Sequence, residues 1–203
     1  MKIEQKIQTK VELAQYTTFH IGGPAKYFVI VTTSQELKQA LAWAQAKQEK
    51  VFFLGGGSNI LVNDQGVDGL VIKLGYQKLV GRGKTIIAGA GVLSQKAVQL
   101  AKEKNLSGLE WAIGIPGTMG GATRGNAGAY GGCLADVILK VRVYDLNLKK
   151  FVQLDKEACQ FGYRDSLFKQ QPNLIIWEVT LALSRSQLVK IKVLMDQYLQ
   201  SRL

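Results

Sequence analysis

The sequence predicts an α+β protein of two lobes, a small α/β lobe over residues 1–75 and a larger, mainly antiparallel α+β lobe over residues 76–203. Three observations carry this expectation. A strand, a helix and a second strand follow one another between residues 27 and 54 and run into a glycine loop. Long alternating segments joined by a short turn dominate residues 136–184. Two stretches far richer in glycine than their surroundings, Gly55–Gly57 and Gly108–Gly132, stand one in each lobe.

In the first lobe, YFVIVT (27–32) has the β-branched and aromatic make-up of a strand. Thr33 and Glu36 have capping-box spacing, and Leu37, Ala40, Leu41 and Ala44 then recur at helical intervals, so a helix is expected over 34–47. VFFL (51–54) reads as a short buried strand ending on Gly55, and GLVIKL (69–74) as the next. Ligands of α/β units tend to bind at the carboxyl ends of strands, where this loop falls.

After Gly75 the pattern changes. KTIIAGAGV (84–92) reads as a strand, and Ser94 as the cap of a helix over 95–104 that buries Ala97, Leu100 and Ala101. DVILKVRVYDL (136–146) alternates like a long strand, Asp145–Lys150 suits a hairpin connection, and FVQL (151–154) returns. NLIIWEVTLALS (173–184) is another long strand, and Gln187–Leu199 closes as a helix with Leu188, Ile191, Met195 and Tyr198 on one face. Hairpin-joined strands with few helices between them imply an antiparallel sheet.

Nine of the 25 residues from Gly108 to Gly132 are glycine, against 22 in the whole chain. Glycine weakens helices and strands and is costly to order, so a cluster this dense needs a reason. A backbone that must turn sharply while approaching a ligand supplies one. The stretch has few charged side chains, so what it offers is mainly peptide N–H groups, which converge readily on a phosphate. With Gly55-Gly56-Gly57-Ser58-Asn59 as a second patch of the same kind, one extended phosphate-bearing ligand, such as a dinucleotide, is expected to be held from two sides. A pair of tight turns without a ligand is the plain alternative.

Other signals exclude more than they suggest. Gly83-Lys84-Thr85 lacks the upstream glycine of a phosphate-binding P-loop, and Gly89-Ala90-Gly91 has Ser94 where a dinucleotide fingerprint needs glycine. The lone His20 reads as a packed or capping side chain, not a base, and no serine stands in a nucleophile elbow. Cys133 and Cys159 show no paired spacing and read as reduced thiols of a cytoplasmic protein. No metal site is expected. The amino terminus is polar, without the apolar centre of a secretion signal, and Leu174–Leu183 is short and interrupted by Glu178, so no membrane span is expected. The net charge of +11 favours anionic partners. Yet Lys47, Lys50, Lys73, Lys78, Lys84, Lys102 and Lys104 are scattered; a solvated surface accounts for them, and nucleic-acid binding is not expected.

Four blocks, TTFHIGGPA (17–25), LGGGSNILVNDQG (54–66), GLEWAIGIPGTMGGATRGNAGAYGG (108–132) and FGYRDSLF (161–168), resemble in order and interval the signature blocks of the UDP-N-acetylenolpyruvoylglucosamine reductases. The resemblance covers the chain from about Thr17 onward. It implies an FAD-binding fold of the vanillyl-alcohol-oxidase type with FAD between the two lobes. Gly55, Gly56, Gly57, Ser58 and Asn59 would cradle the pyrophosphate through backbone N–H groups, with Ile60 beside them. Gly114, Pro116, Gly117, Thr118 and Gly121 would line the same crevice, and Asn126, Ala127, Gly128 and Ala129 would approach the flavin ring. Arg164 matches the family's active-site arginine, with Tyr163 beside it at the substrate. A guanidinium suits a substrate whose carboxylate gains negative charge as hydride is added to a conjugated enol ether. An arginine tied to Asp136, Asp165 or another acid is the plain alternative.

The activity implied is the NADPH-dependent reduction of the enolpyruvyl sugar nucleotide to UDP-N-acetylmuramate, in peptidoglycan synthesis of the bacterial cell wall, without an obligate protein partner. The family continues into a third domain that supplies a proton-donating serine, in an asparagine/serine-Ala-Gly-Ser block, and a late glutamate. Neither block stands in this chain. The expectation is therefore the flavin-binding part of such a reductase, unable to complete the cycle alone. Another flavin oxidase or dehydrogenase of the same fold is one rival, against which the Tyr-Arg-x-Ser block argues; a non-catalytic flavin-binding module is the other.

Overall fold

The computed structural model describes residues 2–202 and divides into two compact units, Met1–Tyr76 and Gln77–Leu203. The first unit contains β1 (Gln8–Glu12), β2 (Pro24–Val31), α1 (Ser34–Lys47), β3 (Val51–Leu54) and β4 (Val67–Leu74). Their sheet runs β1-β2-β4-β3, with β2, β4 and β3 parallel and β1 antiparallel to β2. The capping box at the start of α1 is formed: Thr33 accepts from the Glu36 N–H, and the Glu36 carboxylate accepts from the Thr33 N–H. Leu37, Ala40 and Ala44 are its buried positions. On one side of the sheet Leu13, Ala25, Phe28, Leu54 and Val71 form a core against which Tyr16 and Val62 pack. Each large apolar side chain so buried contributes about 1.5–3 kcal/mol. β1 was not expected. It is an edge strand with four of its five residues exposed, so it carries no apolar alternation to read.

The second unit contains β5 (Leu79–Arg82), β6 (Thr85–Gly89), α2 (Ser94–Glu103), β7 (Leu106–Ser107), α3 (Met119–Arg124), β8 (Gly128–Ala129), β9 (Gly132–Cys133), α4 (Leu134–Val137), β10 (Ile138–Asp145), β11 (Lys150–Asp155), α5 (Leu167–Gln170), β12 (Leu174–Ala182), β13 (Ser184–Arg185) and α6 (Leu188–Gln200). The main sheet, β11-β10-β12-β6-β5, is antiparallel throughout. Central β12 is buried along most of its length, with Trp177, Val179 and Leu181 in the core. The hairpin between β10 and β11 closes on the pair Asp145–Lys150. The carboxylate of Asp145 accepts from the Asn147 and Leu148 N–H groups inside the turn.

Several local expectations are corrected. The strand of residues 84–92 ends at Gly89, because Ala90 and Val92 turn away to receive α3. Ser94 is not a cap: Leu93 holds that position, and Ser94 is the first residue of α2 with its hydroxyl buried and unpartnered. Residues 136 and 137 belong to α4, which starts with the Asp136 carboxylate accepting the Cys133 N–H. On α6 only Ile191 and Met195 are buried; Leu188 is exposed, and Tyr198 stacks on Tyr130 at 5.1 Å. His20 is exposed and left-handed, so it is not packed. Both cysteines are free, and burial, with the carboxylates of Asp155 and Glu157 nearby, pushes the Cys159 thiol up to about 11. Among the described residues no helix is long and apolar enough to cross a membrane, and no cluster of His, Cys, Asp and Glu is placed to hold a metal ion.

Candidate functional site

The glycine loop of the first unit leaves the carboxyl end of β3, whose last residue Leu54 pairs in register with Lys73 of β4. Gly55, Gly56 and Ser58 are half-buried, Gly57 is buried, and Asn59 and Ile60 are exposed. Residues 16–18 lie across the loop as a strap. Thr18 N–H donates to the Gly57 carbonyl at 3.1 Å, and the Thr18 hydroxyl donates to Ser58 Oγ at 2.9 Å. Gly57 has φ +71°, and a Cβ there would stand 1.9 Å from the Tyr16 carbonyl oxygen. Glycine is demanded at this position by the strap, from inside the fold. Lys73 Nζ reaches the same loop and donates to the Gly55 carbonyl at 2.6 Å.

A trans peptide is planar, with its C=O and N–H pointing in opposite directions. Turning the Gly55 and Gly57 carbonyls toward Lys73 and Thr18 therefore turns the Gly56 and Ser58 N–H groups the other way. Among the described residues, the N–H groups of Gly55, Gly56 and Ser58 donate to no acceptor. Residues 55–62 contain no acid. Successive free N–H groups, with no carboxylate beside them, are what a phosphate requires.

The glycine-rich stretch of the second unit is built differently. Met119 and Gly120, at the start of α3, donate their N–H groups to the carbonyls of Val92 and Ala90 just beyond β6. Those two amides are engaged within the fold and not offered outward, so they are not among the peptide N–H groups the stretch can offer a ligand. Gly120 and Gly132 are small for internal reasons: a Cβ would lie 2.8 Å from the Ala90 Cβ in the first case and 2.5 Å from the Trp111 ring in the second. What remains available is specific. Ser94 N–H holds the Gly117 carbonyl at 3.0 Å, which turns the Thr118 N–H outward by the same peptide geometry. Thr118 is buried with its hydroxyl unpartnered, an orphan that a bound ligand would satisfy. Gly121 is exposed, and a Cβ there would meet only the Thr118 hydroxyl, at 3.7 Å. Gly114 and Pro116 are exposed in the same loop.

Asn126 ties this stretch to the Tyr-Arg-x-Ser block. Its side-chain amide donates to the Gly162 carbonyl at 2.8 Å and its carboxamide oxygen accepts the Ala135 N–H at 3.0 Å. Buried Ser166 fastens the other end of the block by donating to the Arg124 carbonyl at 2.7 Å. Between these anchors the chain turns through Arg164 at φ +54°, and Arg164 Nη2 donates to the Gly128 carbonyl at 2.8 Å. Asp136 and Asp165, the acids weighed as partners, are not what it meets. Tyr163 is 94% exposed. The structure thus brings together Asn126, Ala127, Gly128, Ala129 and Arg164, and places Tyr163 at their surface. Sequence reasoning did not find Lys73 or Ser94 as parts of these loops, nor the bond by which Ser166 of the Tyr-Arg-x-Ser block holds the Arg124 carbonyl. The lysine had a readable signal, since it interrupts the otherwise apolar strand end VIKL.

The half-open N–H loop after a parallel strand of the first unit suits a phosphate, and the second unit by itself presents an orphan threonine in a glycine-rich loop. This defines a class, the FAD-binding proteins: the family model described as "FAD binding domain" matches residues 25–148. A curated UDP-N-acetylenolpyruvoylglucosamine reductase of Acaryochloris marina is 38% identical over 98% of this chain and 65% of its own length. The crystal structure of the corresponding Thermus caldophilus reductase superposes with a TM-score of 0.84 at 36% identity, over 97% of this chain and 69% of that one. The chain belongs to the UDP-N-acetylenolpyruvoylglucosamine reductase family, a family of FAD-dependent oxidoreductases, and spans about two thirds of the length of the curated relative. The 6-hydroxy-D-nicotine oxidase of Arthrobacter nicotinovorans, 18% identical with a TM-score of 0.64, shares the fold alone. The expected α+β FAD-binding fold of the vanillyl-alcohol-oxidase type is the fold found.

Proposed function

We propose that this chain is the FAD-binding part of a cytoplasmic reductase that converts UDP-N-acetylenolpyruvoylglucosamine to UDP-N-acetylmuramate with NADPH as hydride donor. The observation that carries the reading is the pair of outward amides at Gly56 and Ser58, each set by an internally held carbonyl. In this reading Gly55–Ile60 bind the diphosphate. Gly114, Pro116, Gly117, Thr118 and Gly121 meet the cofactor through short backbone approach and the Thr118 hydroxyl. FAD, when bound, supplies the hydride chemistry.

The protein's own part is to bind, orient and polarise. Asn126–Ala129 form the wall that carries Arg164, whose guanidinium is held by one N–H on the Gly128 carbonyl. Its other donors remain for the substrate carboxylate, and Tyr163 stands beside them. A bidentate guanidinium there stabilises negative charge that develops on the carboxylate and the adjoining carbon.

The absorption spectrum of the purified protein before and after addition of FAD tests this reading. A retained flavin band that shifts and sharpens on binding is the expected result. A protein that passes through gel filtration colourless after incubation with FAD refutes it.

A further inference from the structure

Lys73 lies on the face of β4 that carries Val71, a member of the core of the first unit, while Ile72 and Leu74 are buried on the other face. Its ammonium is 5.5 Å from the centroid of the Tyr16 ring and donates to the Gly55 carbonyl. Burial lowers its pKa from the ordinary lysine value. A half-buried ammonium is costly, and a methionine or leucine would fill this space without that cost. No carboxylate pairs with it among the described residues.

We infer that Lys73 is a positioning residue for the cofactor loop: by holding the Gly55 carbonyl inward it presents the Gly56 N–H to the cofactor diphosphate. The inference rests on the FAD reading above. Between two glycines the Gly55–Gly56 peptide is free to rotate, and among the described residues only Lys73 holds it by a hydrogen bond. The next-but-one peptide is held in the same sense by the Thr18 N–H on the Gly57 carbonyl. One side chain and one backbone amide thus align two N–H groups into a nest before any anion arrives. Preorganised donors bind more tightly than donors that must be ordered by the ligand. The neutral acceptor also leaves the lysine's charge uncompensated beside the anion.

The test is K73M, which keeps the stem over Tyr16 and removes the ammonium, titrated with FAD by flavin fluorescence beside the wild-type chain. Titrations at about 0.1 M and about 1 M salt separate contact from long-range attraction, because the Debye length falls from about 10 to about 3 Å. The expected result is FAD affinity lowered about 10- to 100-fold at both salt levels, the loss of one charge-assisted hydrogen bond. Equal affinities overturn the inference, as does a deficit that vanishes at high salt, which would make Lys73 only a charge. A wild-type chain that does not bind FAD overturns the FAD reading itself, a separate outcome. Should K73M fail to fold, NMR of the wild-type Lys73 ammonium decides. Slow exchange with water and scalar coupling to the Gly55 carbonyl carbon support the inference, and exchange as fast as in exposed lysines overturns it.

Discussion

Arg164 Nη2 and the main-chain carbonyl of Gly128 are joined by a 2.8 Å hydrogen bond that reaches across 36 residues of sequence. The bond fixes one edge of an exposed guanidinium on the wall expected to face the flavin, and leaves the rest of the fork open. Replacing Arg164 with alanine should leave FAD affinity within about twofold and lower stability by about 0.5–1.5 kcal/mol, the worth of one exposed hydrogen bond. Flavin titration and urea unfolding check both. A large loss of FAD affinity would put this arginine on the cofactor and not on the substrate.

The block that carries Arg164 is held by two anchors, and each is measurable. Ser166→Ala leaves the Arg124 carbonyl without its donor, and Asn126→Ala strands the Ala135 N–H and leaves the Gly162 carbonyl with only the Asp165 N–H. Each should cost about 1–3 kcal/mol in urea unfolding. Because the two anchors hold one segment, the double mutant should be less destabilised than the sum, with a coupling of about 0.5–3 kcal/mol. Strict additivity would mean that the anchors act independently.

Two glycines distinguish packing from ligand approach. Gly57→Ala drives a Cβ against the Tyr16 carbonyl in a left-handed residue, so stability and FAD affinity should fall together. Gly121→Ala enters open space inside a helix and should stabilise the free protein by up to about 1 kcal/mol. If glycine stands at 121 because the cofactor comes close, the same substitution weakens FAD binding. Thermal unfolding with and without FAD reads both effects; unchanged affinity in Gly121→Ala removes that residue from the site.

Glu36 supplies the pH dependence. Partial burial pushes its carboxyl up, but hydrogen bonds from Lys6 and from the Thr32 N–H and hydroxyl outweigh it and hold the pKa at about 2, below the ordinary 4.5. A carboxylate with a depressed folded pKa stabilises the fold above its unfolded value and loses that contribution as pH falls through its folded one. The loss therefore runs from about pH 4.5 down to about 2. Glu36→Gln should lower stability by about 1–2 kcal/mol at neutral pH, after allowance for solvent screening, and should flatten that part of the acid limb. Parallel acid limbs in mutant and wild type would contradict it.

What the sequence made legible was whatever depends on near neighbours. The helix Ser34–Lys47 follows from Thr33, Glu36 and a 3.6-residue apolar period, and β10 with β11 from alternation around a turn. The four motif blocks pointed to the loops by resemblance. What escaped were relations that only tertiary packing creates. Ser94 has the chemistry of a cap, yet Leu93 takes that place and the Ser94 N–H instead holds Gly117. Lys73 was counted among solvated lysines, because a single sequence does not show that the strap at Tyr16 folds over it. The glycines at 57, 120 and 132 read in the sequence as a response to a ligand, and the structure adds that each is also required by a neighbouring part of the chain.

Calorimetric titration of the chain with FAD, and separately with riboflavin, tests the central claim most directly. Riboflavin carries the same ring system but no diphosphate. The account predicts one saturable FAD site per chain and binding of riboflavin weaker by about 100-fold or more, a difference of about 2.7 kcal/mol or greater. No heat with FAD, or equal affinity for the two compounds, would contradict it.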